Sequence, residues 1–124
     1  MAQAAGLAGR HAIEGYGAGG FRFGGMSHRG SILVLPSGVY PWEVGAAPDV
    51  SVVSLDRVFA EADGIDHLLV GLGADFGVLP SAVVQACRAR KIVPEPMATA
   101  AAARTYNVLM GEGRRVAAAL IAAP

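Results

Sequence analysis

The run Val116-Ala117-Ala118-Ala119-Leu120-Ile121 is apolar at every position, and this constrains the fold more than any other feature of the chain. Successive residues of a strand point to opposite faces, so a strand with one face in water alternates apolar with polar. Here both alternating sets are apolar, and the segment belongs at the centre of a sheet with material packed on each side. Ser31-Ile32-Leu33-Val34-Leu35 makes the same demand, and His67–Leu72 reads as a further buried strand. Aromatic residues are only 6% of a chain that is 53% hydrophobic. Its core must therefore be packed from small aliphatic side chains at close spacing. A length of 124 residues suits one domain, in which folding buries roughly two-thirds of the surface that the unfolded chain exposes.

The other elements follow from local signals. Residues 1–10, rich in Ala and Gly, are expected to form a flexible tail ahead of a single α/β domain over 11–124. His11–Tyr16 is a short strand candidate, Gly17–Gly20 a tight turn, and Phe21-Arg22-Phe23 a half-buried strand broken by Gly24-Gly25. Pro36-Ser37-Gly38 turns the chain into Val39–Val44, where Pro41 removes a ladder donor and makes an edge strand or a bulge. Asp49–Val53 is another short strand candidate. The period then changes: Leu55, Val58, Phe59 and Ala62 recur at helical spacing, with Ser54 as N-cap and Gly64 as stop. Pro80 and Ser81 open a second helix with an apolar stripe of Val83, Val84 and Cys87. Ile92-Val93 is a short strand stopped by Pro94 and Pro96. Thr99 caps a third helix, whose Ala102, Tyr106 and Leu109 share a side and which Gly111 and Gly113 end. A β-rich start followed by strand–helix alternation implies an α/β fold with a mixed sheet covered by helices.

Ten basic and ten acidic residues cancel. Nucleic-acid binders draw affinity from neutralising phosphates and carry a basic excess, so no nucleic-acid partner is expected. The basic clusters Arg88–Lys91 and Arg114-Arg115 fall where a helix or loop should end, and cations there complement free carbonyls. The single cysteine, Cys87, precludes an internal disulfide, fits a reducing compartment and reads as a core residue. Gly6, Gly9, Arg10 and His11 interrupt any signal-peptide core, and no stretch approaches the ~18 apolar residues of a membrane helix. A cytoplasmic chain that is not membrane-embedded is expected.

Gly15-Tyr16-Gly17-Ala18-Gly19-Gly20 has the G-x-G-x-x-G spacing of a dinucleotide-binding turn. Such a turn must run into a helix whose free amides hold the pyrophosphate. Phe21–Gly25 follows instead, so a tight hairpin is expected and no cofactor. Gly71–Gly77 has better context, at the carboxyl end of a buried strand and ahead of the Pro80 helix, where open α/β sheets bind ligands. The candidate ligand-binding residues are Gly71, Gly73 and Asp75, with Arg104 and Asn107, which stand three apart on one helix face. A structural role competes for each: the glycines permit close strand–helix packing, Asn107 bonds a neighbouring backbone, and Arg104 pairs with Glu95 or Asp75. Ser27-His28-Arg29-Gly30 places a hydroxyl, an imidazole and a guanidinium in one turn. Adjacent residues of an extended chain point apart, however, and no base with an orienting group accompanies the serine, so no catalytic residue is assigned. His11, His28 and His67 lack H-x-x-x-H spacing and one cysteine cannot complete a zinc site, so no metal is expected.

Ile13–Gly25 with Ser31–Pro36, then Leu68–Gly73, and above all Ala100–Leu109 running into Glu112–Leu120 carry a further signal. The last two contain A-x-x-T-Y-N-x-L, from Ala102 to Leu109, followed by E-G-R-x-V, from Glu112 to Val116. In these motifs the chain resembles a small α/β family of unknown function, the MTH-type single domain, whose mitochondrial member assists assembly of respiratory complex I. The likeness extends over nearly all of the chain beyond the tail. It implies three layers, with a mixed central sheet of about five strands whose C-terminal strand is internal and antiparallel to the others. It implies no settled enzymatic activity, and a protein partner that is another assembly factor or a complex I subunit.

The alanine-rich composition suggests a high-GC bacterium, in which complex I also exists. The expected function is then a non-catalytic protein-binding domain linked to complex I assembly, cytoplasmic and reaching the inner membrane through a partner. Phe21, Arg22, Phe23, His28, Arg29, Tyr40 and Trp42 are the candidate interface residues, because aromatics and Arg dominate the energetic centres of interfaces. The alternative is a small-molecule-binding protein or enzyme with a pocket near Gly73, Asp75 and Arg104.

Overall fold

The computed structural model of the protein describes residues 6–74 and 77–124. Among them the strands run as β1 (Leu7–Ala8), β2 (Gly15–Gly17), β3 (Gly20–Phe23), β4 (Met26–Arg29), β5 (Ile32–Leu35), β6 (Gly38–Pro41), β7 (His67–Gly71), β8 (Val93–Met97) and β9 (Val116–Leu120). The α-helices are α1 (Asp56–Ala60), α2 (Ser81–Ala89) and α3 (Thr99–Gly111). Six strands form a mixed sheet in the order β1-β6-β5-β9-β7-β8, and β2-β3-β4 form a separate antiparallel sheet.

Strand β9 is internal, as its two apolar faces require. Ala117, Ala119 and Ile121 join one core with Leu33, Leu68 and Val83, whereas Val116, Ala118 and Leu120 join another with Phe23, Val34 and Tyr106. Helices α1 and α2 cover the first face; α3 and the small sheet cover the second. The three layers follow from this. Ala102 and Ala103 of α3 are buried in the same core as Ala118, so small side chains meet small ones and helix and strand can approach closely. The expected strand directions need correction: β9 is antiparallel to β5 but parallel to β7. The reason lies in the connections. Strands β7, β8 and β9 are joined through α2 and α3, and helical crossovers return the chain in the same direction, while β5 and β6 are joined by a tight hairpin turn.

Four local expectations also change. Leu7–Ala8, within the expected tail, pairs with Val39 and Gly38 and adds a sixth strand to the five anticipated. Strand β6 ends at Pro41, short of Val44, and Pro41 lies beyond the reach of β1, so its missing donor leaves no partner unpaired. Asp49–Val53 is not a strand; Ala47–Asp49 and Val53–Leu55 form single 3₁₀ turns. Here Ser51 and Ser54 each accept the other's backbone N–H, at 3.0 and 2.8 Å, which curls the chain; Ser54 therefore does not cap α1, whose N-cap, Leu55, has no side-chain bond.

Finally, β8 runs straight through Pro94 and Pro96, which stand opposite Leu68 and Val70. Val93 donates to the Asp66 carbonyl at 2.8 Å and the Met97 carbonyl accepts from Leu72 at 2.9 Å. The alternate residues Pro94 and Pro96 therefore turn their nitrogens away from β7, on an edge where no donor is needed.

The close approach at Ala118 is testable. Ala118→Leu inserts three carbons between β9 and α3 and should destabilise the fold by about 1–3 kcal/mol. A urea unfolding midpoint equal to that of the wild type would show that the layers are not in tight contact there.

Candidate functional site

The carboxyl end of β7 is joined to α3 and β9 by one hydroxyl. Thr99, the first residue of α3 and buried, accepts the Gly73 N–H at Oγ1 (2.9 Å) and donates to the Ile121 carbonyl (2.7 Å). Its own N–H donates to the Gly73 carbonyl at 2.9 Å. Thr99 is thus a tie between three elements rather than the cap its position suggested, and Ala98 precedes the helix without a side-chain cap. A Cβ on Gly71 would lie 2.8 Å from Thr99 Cα, so the space beside this glycine is filled by the first turn of α3. Gly73 has φ +95°, which a side chain disfavours. Asp75 lies outside the described residues.

Arg104 and Asn107 share a face of α3, and both grip the segment leading into the small sheet. Asn107 makes a two-point bond to one backbone residue: Oδ1 accepts the Ile13 N–H and Nδ2 donates to the Ile13 carbonyl, each at 2.8 Å. Arg104, exposed, donates from Nη1 to the Tyr16 hydroxyl at 2.9 Å, a partner different from the carboxylates expected. No local sequence pattern marks Tyr16 for this role; its place opposite Phe21 across β2 and β3 is what brings it over α3.

The small sheet is a meander with two two-residue turns. Ala18-Gly19 (φ 52° and 78°) and Gly24-Gly25 (φ 55° and 73°) have the double positive φ of hairpin turns that match strand twist. The G-x-G-x-x-G segment is therefore a hairpin, as expected. Ser27-His28-Arg29 is a strand rather than a turn, so Ser27 and Arg29 face outward while His28 is buried opposite Phe21. The same alternation corrects the interface list. Phe21, Phe23 and Trp42 are 3%, 1% and 6% exposed and belong to the cores, whereas Arg22 and Arg29 are in solvent. Tyr40 is half-buried, with the Arg57 guanidinium 4.4 Å from its ring centre. Trp42 Nε1 donates to the Ser54 carbonyl at 2.7 Å.

Among the described residues, two concavities lie near the candidate residues. One, of about 380 Å³, is lined by Gly15, Gly17, Gly20, Arg22, Ser27 and Arg29 together with neighbouring residues of the small sheet. The other, of about 270 Å³, lies by Leu33, Trp42, Val53 and Arg57. Neither is lined by Gly71, Gly73, Arg104 or Asn107. Burial lowers the His28 pKa, opposed by a hydrogen bond from the ring to the Ser31 backbone, and among the described residues His28 Nδ1 has no partner. Burial raises the Cys87 thiol, and the Arg90 charge opposes this without reversing it. Burial likewise raises Tyr106, against the opposing Arg10 guanidinium. Among the described residues no helix is long and apolar enough to cross a membrane.

The family model described as a protein of unknown function (DUF498/DUF598) matches residues 13–121. An uncharacterised protein of Rhodobacter capsulatus is 43% identical over 119 residues, 96% of this chain and 90% of its own length. NADH dehydrogenase (ubiquinone) 1 alpha subcomplex assembly factor 3 of Danio rerio is 36% identical over 112 residues. That match takes in 90% of this chain and 64% of the assembly factor, so the chain spans just under two thirds of this relative's length. A crystal structure described as an outer membrane protein from Bartonella henselae superimposes with TM-score 0.92 at 42% identity, covering 95% of this chain and 99% of that one.

Two outcomes follow from the geometry. Asn107→Ala leaves both polar groups of Ile13 unpaired and should cost about 1–3 kcal/mol, whereas Arg104→Ala should stay within ~0.5 kcal/mol. Equal losses in urea unfolding would contradict the division of roles. Because the folded pKa of His28 lies below its unfolded 6.5, its contribution is full above about pH 6.5 and is lost as pH falls through the folded value. Stability should therefore drop on acidification from pH 7, and His28→Gln should flatten that drop; an identical pH profile in the variant would remove His28 as its source.

Proposed function

The chain belongs to the DUF498/DUF598 family, and from that membership we propose that it is a non-catalytic protein-binding domain acting in the assembly of respiratory complex I in a bacterium. The observation that carries this reading is the 36% identity to complex I assembly factor 3 over 90% of the chain. Physical features agree with it. Asn107 of the A-x-x-T-Y-N-x-L motif, with Arg104 at one of its variable positions, holds the small sheet against α3: Asn107 bonds Ile13 and Arg104 bonds Tyr16. A motif used to mount a sheet on a helix serves the presentation of a surface, and the outward side of that sheet carries two solvent-exposed arginines. The partner is a complex I subunit or another assembly factor, and contact with the inner membrane runs through that partner.

Deletion from the native bacterium should lower the amount of assembled complex I on native gels and its NADH:quinone activity, with restoration by the intact gene. Affinity purification from the same organism should recover a complex I subunit or assembly factor. Unchanged complex I level and activity in the deletion strain would end the assignment.

A further inference from the structure

The outward face of the small sheet has a geometry that selects its occupant. Cross-strand partners share a face, so Gly15, Arg22 and Ser27 lie in one row, and Gly17, Gly20 and Arg29 in the next. Three of these six positions are glycine. Gly15 and Gly17 leave backbone at the floor of the 380 Å³ concavity, with the Arg22 stem against Gly15, while at Gly20 the β4 backbone fills the space a Cβ would take; both arginines line the same hollow. Among the described residues neither arginine is paired with a carboxylate; the ion pairs there are His67–Glu95 and Arg115–Asp66. Glu14, the acid next to β2, has its carboxylate on the Gly25 N–H at 3.2 Å.

Arg22 pairs across with Ser27, and Arg29 stands two residues further along β4. The arginines are thus diagonal neighbours, about 7–8 Å apart and somewhat less between Cβ atoms. In an extended peptide, residues i and i+2 point to the same side about 7 Å apart. The two spacings coincide.

We propose that this face docks an extended acidic segment of a partner protein, with carboxylates two residues apart on Arg22 and Arg29 and its backbone over the floor at Gly15 and Gly17. A small free anion fits less well. One exposed guanidinium–carboxylate pair changes affinity by about fivefold at most, so binding needs both pairs and the backbone contact together. Ser27 Oγ, in the same row as Arg22, supplies a further donor. The inference rests on the protein-binding reading above and gives its partner a chemistry.

The test uses a short labelled peptide containing Glu-Ala-Glu, with Gln-Ala-Gln and Glu-Glu-Ala versions and a single-stranded oligonucleotide as controls. Binding to the full chain is followed by fluorescence anisotropy at low salt and at about 0.15 M. Glu-Ala-Glu should bind at least tenfold more tightly than Gln-Ala-Gln, and more tightly than Glu-Glu-Ala. Arg22→Gln and Arg29→Gln should each weaken it about threefold to fivefold, and the double variant more than tenfold. Gly15→Val keeps both charges while filling the floor. Its Cβ would rest 3.6 Å from Arg22 Cδ, an ordinary contact, so the variant should fold and yet bind at least fivefold more weakly.

No binding of Glu-Ala-Glu, equal binding of Gln-Ala-Gln, an unaffected double variant or tighter binding of the oligonucleotide each overturns the proposal. Expression of the double variant in the deletion strain separates the two readings. Full restoration of complex I would remove this docking site and leave the assembly role. Specific peptide binding by a protein whose deletion spares complex I would do the reverse.

Discussion

Strand β9 can give neither face to water, and the arrangement of the molecule follows from that condition. Its alternate residues enter two separate cores, so one layer of helices cannot suffice. Helices α1 and α2 supply one cover, and α3 with the small sheet supplies the other. Because its middle residues are alanines, those covers must come close, and what α3 presents to them is itself small. The Thr99 hydroxyl fastens these layers at one end: it bonds the backbone just beyond β7 and just beyond β9, while the Thr99 Cα blocks the space over Gly71.

Much of this was legible in residue order. Two-sided apolar runs located β5, β7 and β9, and the helical stripes located α2 and α3 within a residue or two. What escaped depended on partners distant in sequence. Leu7–Ala8 has no strand signal of its own and exists as β1 because β6 offers an open ladder. Pro94 and Pro96 look like stops until their side of the sheet is known to be an edge. The double serine contact of Ser51 and Ser54 outweighed the β-branched residues around it, since local side-chain bonds to the backbone compete directly with strand pairing.

The candidate residues divide along the same line. Alternation alone separates Arg22 and Arg29 from Phe21, Phe23 and His28, and a stricter use of period two on Gly20–Arg29 would have found the outward row. Asn107 and Arg104 were rightly placed together on one helix face, but their partners, Ile13 and Tyr16, lie about ninety residues earlier in the chain, at separations of 94 and 88. No local pattern could name them. The glycines of Gly15–Gly20 illustrate the opposite case: a familiar spacing whose meaning was set by the strand, not helix, that follows it.

The proline-bearing margin at β8 has a bearing on behaviour at high concentration. A sheet recruits further strands through outward N–H groups, and at Pro94 and Pro96 that margin has none to offer. Copies crowded together cannot lengthen the sheet there by zipping backbone to backbone, so this border resists fibre growth without being hidden under another element.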